Sequence, residues 1–232
     1  MIQLPFKDRD EAGRLLGAKL AGRQFPENTI VLGLARGGVA VGCPVAAQLR
    51  VPLDIVVVRK VGVPKQPELA MGAIAGGEVQ TLDQQLIGYL GVSREQVEAV
   101  VASEKAEAAR RERLYRQDQP APDLTGRAVI LVDDGLATGS SMLAAVRYVK
   151  SLRPASVVVA VPVGSRQACQ LLIKEADECV CLATPEPFHG VGVWYMDFRQ
   201  TTDKDVERLL EKSRKPIRGQ PGVEAGRTRG LG

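Results

Sequence analysis

The chain has no run of about twenty apolar residues, so nothing in it reads as a membrane-spanning helix. Its first residues, Met-Ile-Gln-Leu-Pro-Phe-Lys-Asp-Arg-Asp10, lack the apolar core of a signal peptide. Cysteine is scarce. Cys43, Cys169, Cys179 and Cys181 sit in apolar contexts without zinc-ligand spacing, which argues for core thiols and a reduced, cytoplasmic setting. No internal repeat and no second domain boundary is evident. Excess charge is also missing from the body. The formal net charge is +4, yet beyond residue 212 Arg214, Lys215, Arg218, Arg227 and Arg229 face only Glu224, so 1–212 is neutral. The segment 213–232 is rich in Gly and Pro with little apolar content, and is expected to be a disordered basic tail. Neither a membrane nor a nucleic acid is the expected partner.

What is present is organised around Ala128-Val-Ile-Leu-Val-Asp-Asp-Gly-Leu-Ala-Thr-Gly-Ser-Ser141. The β-branched run Val129 to Val132 reads as a buried strand that ends at Asp133 and Asp134. Gly135 to Ser141 form a small-residue loop, and a helix follows from Met142. A strand, a loop of Gly, Thr and Ser and a helix N-terminus make an anion site, because free N–H groups and the helix dipole favour phosphate. A nucleotide-hydrolysing P-loop is excluded, since no Lys follows the glycine. Two adjacent acids would repel a second phosphate. They can accept hydrogen bonds from vicinal hydroxyls or face a metal that the ligand carries, and a 5-phosphorylated sugar fits that layout.

Two further stretches place cations at strand ends. Thr29-Ile-Val-Leu-Gly-Leu-Ala35 reads as a first strand running into Arg36-Gly-Gly-Val-Ala-Val-Gly42 and a helix through about Leu49. Asp54-Ile-Val-Val-Val-Arg59 reads as a second strand emerging at Arg59-Lys60. Ligands of open α/β sheets bind at such carboxyl ends, and the cations suit a diphosphate. Lys65-Gln-Pro67 looks like a mobile loop. Residues 69–75 and 78–82 read as a hairpin turning at Gly76-Gly77. A long helix follows, with a capping box at Ser93-x-x-Gln96 and i,i+4 pairs Glu107–Arg111 and Glu112–Arg116; its Arg110-Arg-Glu-Arg113 charges are expected mostly on a solvated face. Near the N-terminus, Asp8-x-x-Glu11 resembles a capping box, with Ala12, Leu15, Leu16 and Leu20 at helical spacing, and predicts a packing helix without chemistry. Strands at 155–162 and 178–184 flank a helix from about Ser165. The alternation predicts an α/β fold, a doubly wound, mainly parallel sheet with a hairpin and long-helix insertion and a small C-terminal hood.

Aromatics form only 4% of the chain, and the hood gathers the one Trp, the one His and two of the four Phe. Phe188, Trp194 and Tyr195 could stack a flat ring there, although a small hydrophobic lid or a dimer contact would look the same. His189 alone carries no reading. Asp203-x-x-Val206, Leu209 and Leu210 predict a closing helix. The whole of 1–212 is expected to be one domain: core about 29–184, hood about 185–199, last helix about 203–212.

Val132-Asp-Asp-Gly-Leu-Ala-Thr-Gly-Ser-Ser141 resembles the motif with which type I phosphoribosyltransferases bind 5-phosphoribosyl 1-diphosphate (PRPP). The resemblance spans roughly 29–199 and is greatest to the phosphoribosyltransferase-like proteins of bacteria. It implies transfer of the 5-phosphoribosyl group to a nitrogenous base or related acceptor, with release of diphosphate, in nucleotide salvage. By that resemblance Asp133 and Asp134 hold the ribose hydroxyls, and Gly135, Ala137, Thr138, Gly139, Ser140 and Ser141 surround the 5-phosphate. Gly37 and Gly38 shape the diphosphate loop, with a non-proline cis peptide at Ala35–Arg36, and Arg36, Arg59 and Lys60 meet the departing diphosphate. The loop after Lys60 closes over PRPP. Mg2+ arrives bound to PRPP oxygens, with no direct protein ligand, and a homodimer is expected. Hypoxanthine–guanine enzymes carry an acid immediately before the motif's Thr; Ala137 stands there instead, which argues against a 6-oxopurine acceptor without naming another. A PRPP- or nucleotide-sensing regulator with the same fold and no turnover is the alternative.

Overall fold

Eight strands form two sheets in the computed structural model, which describes residues 2–117 and 119–214. In chain order the elements are α1 (Arg9–Ala21), β1 (Ile30–Leu34), α2 (Gly37–Leu49), β2 (Leu53–Val56), β3 (Val58–Val63), β4 (Gln66–Ala75) and β5 (Glu78–Leu82). Then come α3 (Gln84–Tyr89), α4 (Arg94–Arg116), β6 (Ala128–Val132), α5 (Ser140–Ser151), β7 (Ser156–Val163), α6 (Arg166–Glu175), β8 (Glu178–Ala183) and α7 (Asp203–Arg214). The larger sheet is parallel in the order β2-β1-β6-β7-β8, and β3-β4-β5 form a separate antiparallel sheet.

The parallel sheet is covered on both faces, which is why β1 and β6 read as unbroken apolar runs. Val31, Ile130, Val132, Val158 and Ala160 pack under α1, α2, α4 and α7 through Leu16, Val41, Tyr115 and Val206. The alternate side chains Ile30, Leu32, Val129, Leu131 and Val159 pack under α5 and α6 through Met142, Val146, Val149 and Leu172. The predicted doubly wound α/β class is therefore the observed one.

Some expectations need correction. The single strand predicted over 54–59 is two. Leu53–Val56 pairs with β1, whereas from Val58 the chain leaves that sheet and pairs with β4, Arg59 opposite Ile74 and Lys60 opposite Ala73. Periodicity reports an extended segment but not which partner it takes. The loop at 65–67 is a tight turn: Lys65 takes a φ of 68° and β4 begins at Gln66. Leu15 of α1 faces outward, and Glu11 accepts from the Lys7 amide rather than completing a capping box, although the Asp8 carboxylate caps Glu11 N–H at 2.8 Å. The short α3 was not anticipated, and α5 starts at Ser140, two residues earlier than expected.

Other local signals match. Gly76 and Gly77 take φ of 56° and 75°, the turn that brings β5 back on β4. Ser93 and Gln96 form the capping box of α4. The pairs Glu107–Arg111 and Glu112–Arg116 form at 2.7 and 3.6 Å. Helix α7 continues to Arg214, past the boundary expected at 212; residues 215–232, and with them the expectation of disorder, lie outside the described residues. Among the described residues no helix is long and apolar enough to cross a membrane.

Candidate active site

The strand order reverses between β1 and β6, which are neighbours although the chain visits β2 first on the other side. Such a switch point opens a crevice at the carboxyl ends of the two strands. Beyond β1 stand Ala35 and Arg36, joined by a cis peptide, and beyond β6 stand Asp133 and Asp134. The two strand ends are pressed together. A Cβ at Gly38 would overlap the Val132 carbonyl oxygen, and one at Gly37 would lie 2.6 Å from Asp134 Cγ. Only glycine at both positions lets the Arg36 turn lie against the acid pair.

The acids are half-buried and differently held. Asp133 Oδ1 accepts from the Asp134 amide at 2.9 Å. Asp134 Oδ2 accepts from Arg9 Nε and pairs with Arg9 Nη2, both at 2.8 Å, and its backbone carbonyl accepts from the Tyr195 hydroxyl at 2.6 Å. Burial pushes both carboxyls above the ordinary carboxylate range; the neighbouring Asp134 charge pushes Asp133 further, while Arg9 opposes the rise at Asp134.

After the acids, Gly135 and Leu136 are buried and the chain turns outward at Ala137 and Thr138. Ser165, the cap of α6, fixes this loop: its Oγ donates to Ala137 O at 2.7 Å and its amide donates to Leu136 O at 2.8 Å. Gly139 sits at the α5 N-cap with φ of 80°, and no side chain caps the helix. The Ser140 amide meets the Thr138 hydroxyl in a long 3.4 Å contact, and the Thr138 and Ser140 hydroxyls lie 3.1 Å apart beside it, so the helix start gathers donors that suit an anion.

A cavity of about 830 Å³ opens next to this crevice, lined by Arg36, Arg59, Lys60 and Lys65 together with Arg9 and Phe198. Ser141 also borders it. Arg59 and Lys60 reach it from β3 of the small sheet rather than from the edge of the parallel one. Arg59 Nε donates to Glu104 of α4 at 2.7 Å, and Arg36 lies 3.6 Å from Asp203, which also accepts from the Tyr115 hydroxyl at 2.6 Å. Arg111 of the long helix lines the cavity as well, paired with Glu107.

The hood aromatics fall elsewhere. Tyr195, 5% exposed, packs on Phe6 and Phe198, and Phe188 and Trp194 lie against each other with centroids 6.3 Å apart in the same small cluster. None of the three borders the cavity; the aromatic that does is Phe198. Among the described residues no three His, Cys, Asp or Glu side chains converge to hold a metal ion. Arg9, Glu104 and Asp203 were not anticipated. Each lies far along the chain from the group it pairs with, and no local pattern marks it.

A family model described as "Phosphoribosyl transferase domain" matches residues 10–195. The chain belongs to the phosphoribosyl transferase family. Two provisionally named phosphoribosyl transferases of Mycobacterium tuberculosis, from strains CDC 1551 and H37Rv, are each 39% identical over 220 residues, covering 95% of this chain. The chain spans 49% of the length of each. The crystal structure of TT1426 from Thermus thermophilus is similar with a TM-score of 0.76 at 43% identity, over 90% of this chain and 99% of that one. A hypothetical protein from Neisseria gonorrhoeae, crystallised with bound ppGpp, shares the fold at 14% identity and a TM-score of 0.50, over 92% of this chain and all of that one. The phosphoribosyl transferase match thus covers both strand ends of the crevice and stops one residue short of Arg9.

Proposed function

We propose that this phosphoribosyl transferase moves the 5-phosphoribosyl group of magnesium-bound PRPP to a nitrogenous acceptor and releases diphosphate, in nucleotide salvage. The observation that carries the reading is the juxtaposition of the Asp133–Asp134 pair, the uncapped N-terminus of α5 and the Arg36 turn around one crevice. The 5-phosphate would take the amides and hydroxyls from Ala137 to Ser141, and the ribose 2- and 3-hydroxyls would donate to the acids. That leaves the diphosphate directed toward Arg36, the backbone at Gly37 and Gly38, and Arg59 and Lys60.

In the reaction the bond from ribose C1 to the diphosphate oxygen breaks, its electron pair leaves with diphosphate, and the acceptor nitrogen bonds C1 from the opposite face as the acceptor's N–H proton is released to solvent. Positive charge develops on the ribose ring and negative charge on the leaving group. The acid pair lies beside the first and the cations beside the second, which is stabilisation aimed at the transition state. The magnesium is part of the substrate, held by PRPP oxygens. Before diphosphate binds, Arg59 meets Glu104 through Nε and Arg36 lies near Asp203 through Nη1, so the ligand would either share these cations through their remaining N–H groups or compete with the two acids. Ala137 in place of an acid disfavours 6-oxopurines as acceptors.

The test is calorimetric titration with magnesium PRPP, followed by diphosphate-release assays across purine and pyrimidine bases on the same preparation. Binding with base-dependent release is the expected result. Binding without release for any base would replace the enzyme by a PRPP-sensing protein, and absence of binding would overturn the reading.

A further inference from the structure

We propose that Arg9, from the N-terminal helix, is a positioning residue of this site: it clasps Asp134 as the carboxylate that receives the ribose hydroxyls and fastens it to the hood. The inference rests on the PRPP reading above and adds a residue that lies outside both the motif and the span of the family match.

Three contacts converge on one guanidinium. Nε and Nη2 both meet Asp134 Oδ2 at 2.8 Å, so the clasp uses one carboxylate oxygen and does not consume the other. Nη1 donates to the Arg199 carbonyl at 2.7 Å, which ties the same group to the hood backbone. The guanidinium also lies over the Phe198 ring, 3.9 Å from its centroid, on the aromatic that borders the cavity. The Arg9 side chain is only 12% exposed, and Asp134 only 16%.

Helix α1 is held where this requires. Ala12, Leu16 and Leu20 are fully buried, and Gly13 packs so tightly on α2 that a Cβ there would overlap Pro44 and the Val41 carbonyl. Arg9, at the first turn, is thereby aimed along the Gly37 turn, and Gly37 lies so close that its Cβ would stand 3.3 Å from Arg9 Nε. Two donors on one oxygen, with the third nitrogen held by the hood, keep that oxygen in place as a single mobile point charge would not.

The charged and titratable groups facing Asp134 are Asp133 beside it, Arg9 from α1 and Tyr195 from the hood, whose hydroxyl takes the Asp134 backbone oxygen. Arg9 is the one cation among them. Without it, burial of both carboxyls and the push of the Asp134 charge on Asp133 would hold the pair protonated to higher pH, and a protonated carboxyl accepts hydroxyl protons poorly.

The experiment compares wild type, Arg9→Met and Arg9→Lys in two arms. In the first, the dissociation constant of magnesium PRPP is measured from pH 5 to pH 9. Arg9→Met should bind roughly tenfold or more weakly near neutral pH. The acid limb of its profile should move to higher pH, and Arg9→Lys should return that limb toward wild type while recovering only part of the affinity. In the second arm, carboxyl carbon NMR titration of Asp133 and Asp134 is read without ligand. The midpoint of the pair should rise in Arg9→Met and fall back in Arg9→Lys. Affinity within twofold of wild type with an unmoved profile would overturn the proposal, as would unmoved carboxyl midpoints. If Arg9→Met does not fold, Arg9→Lys decides, because loss of the fork alone must still weaken PRPP. If wild type fails to bind PRPP, the functional reading falls by itself, and the carboxyl titration still shows whether Arg9 governs Asp134.

Discussion

Gly38→Ala tests whether the close approach of the two strand ends builds the site. Gly38 is buried in the first turn of α2. A Cβ there would overlap the Val132 carbonyl oxygen and lie 3.0 Å from Asp133 Cα and 3.2 Å from Asp133 Oδ1. The obstacle is backbone, and it belongs to β6, which is paired on both sides by β1 and β7. It cannot swing away as a side chain would, so α2 and the Arg36 turn must retreat by roughly 1 Å to regain ordinary contact. Alanine gains about 1 kcal/mol in helix propensity over glycine. Overpacking a close contact costs about 1–3 kcal/mol, and an immovable backbone puts this case at the upper end. The net is a loss of roughly 1–2 kcal/mol, or about 2–8 °C in Tm for a chain of this size. The larger effect is on the ligand, because displacing reacting groups by about 1 Å can cost on the order of a hundredfold in rate. Thermal unfolding, PRPP calorimetry and diphosphate release on the same variant measure all three. Unchanged Tm with unchanged PRPP affinity would refute the reasoning. Gly37→Ala is the companion variant, since its added methyl meets the Asp134 carboxylate and Arg9 rather than backbone. It should lose PRPP, and its Tm should fall as well, because the methyl displaces the carboxylate oxygen that Arg9 holds.

Three other perturbations separate the roles of the remaining groups. Asp133→Asn should be more stable than wild type at neutral pH. The raised native carboxyl is protonated in both states below the unfolded value near 3.9, and wild type loses stability as pH climbs through the native value. The Tm gap should therefore widen from pH 4 upward, and a gap independent of pH would count against a buried, perturbed acid. Arg59→Ala should lower turnover by roughly 10²–10³ while PRPP affinity falls less, since the charge it stabilises develops on departing diphosphate; an equal loss in both would make Arg59 a binding residue. Tyr195→Phe removes a 2.6 Å hydrogen bond to the Asp134 carbonyl inside a small core. Leaving that oxygen unsatisfied costs about 1–2 kcal/mol, visible as a Tm drop by circular dichroism; a change within 1 °C would mean that the bond carries no stability.

The parts of the site legible in the sequence are those whose chemistry is contiguous. Residues 128–141 hold a strand, two acids, a Gly-Thr-Ser loop and a helix start in one uninterrupted run, so the candidate anion site could be read without any tertiary contact. Arg36 and its glycines likewise declare a strand end and a tight turn. Arg9 is the opposite case. It meets Asp134 across 125 positions, and the local pattern around it is already accounted for by a cap and a packing stripe. Glu104 and Asp203 are hidden in the same way on charged helices whose other acids make i,i+3 and i,i+4 pairs. The hood misleads for a different reason. Aromatic clustering signals a small core as well as a stacking platform, and here Tyr195 is buried in that core with Phe188, Trp194 and Phe198 packed against it, Phe198 also bordering the cavity.

These hidden acids give the site an order in which its ion pairs yield. Arg36 and Asp203 stand 3.6 Å apart with side chains 26% and 35% exposed, a partly solvated contact worth about 0–1 kcal/mol. Arg59 and Glu104 are closer, at 2.7 Å, and still reach solvent at the cavity. Neither pair can hold its cation against a diphosphate that brings several charges and charge-assisted hydrogen bonds. Arg9 and Asp134 differ: two donors on one oxygen, little solvent, and a third donor committed to the hood. Breaking that pair would leave a charge buried without a partner, which costs about 3–5 kcal/mol. On the proposed PRPP reading, a ligand entering the crevice should therefore compete with Asp203 and Glu104 for Arg36 and Arg59 and build on Asp134 without dislodging Arg9.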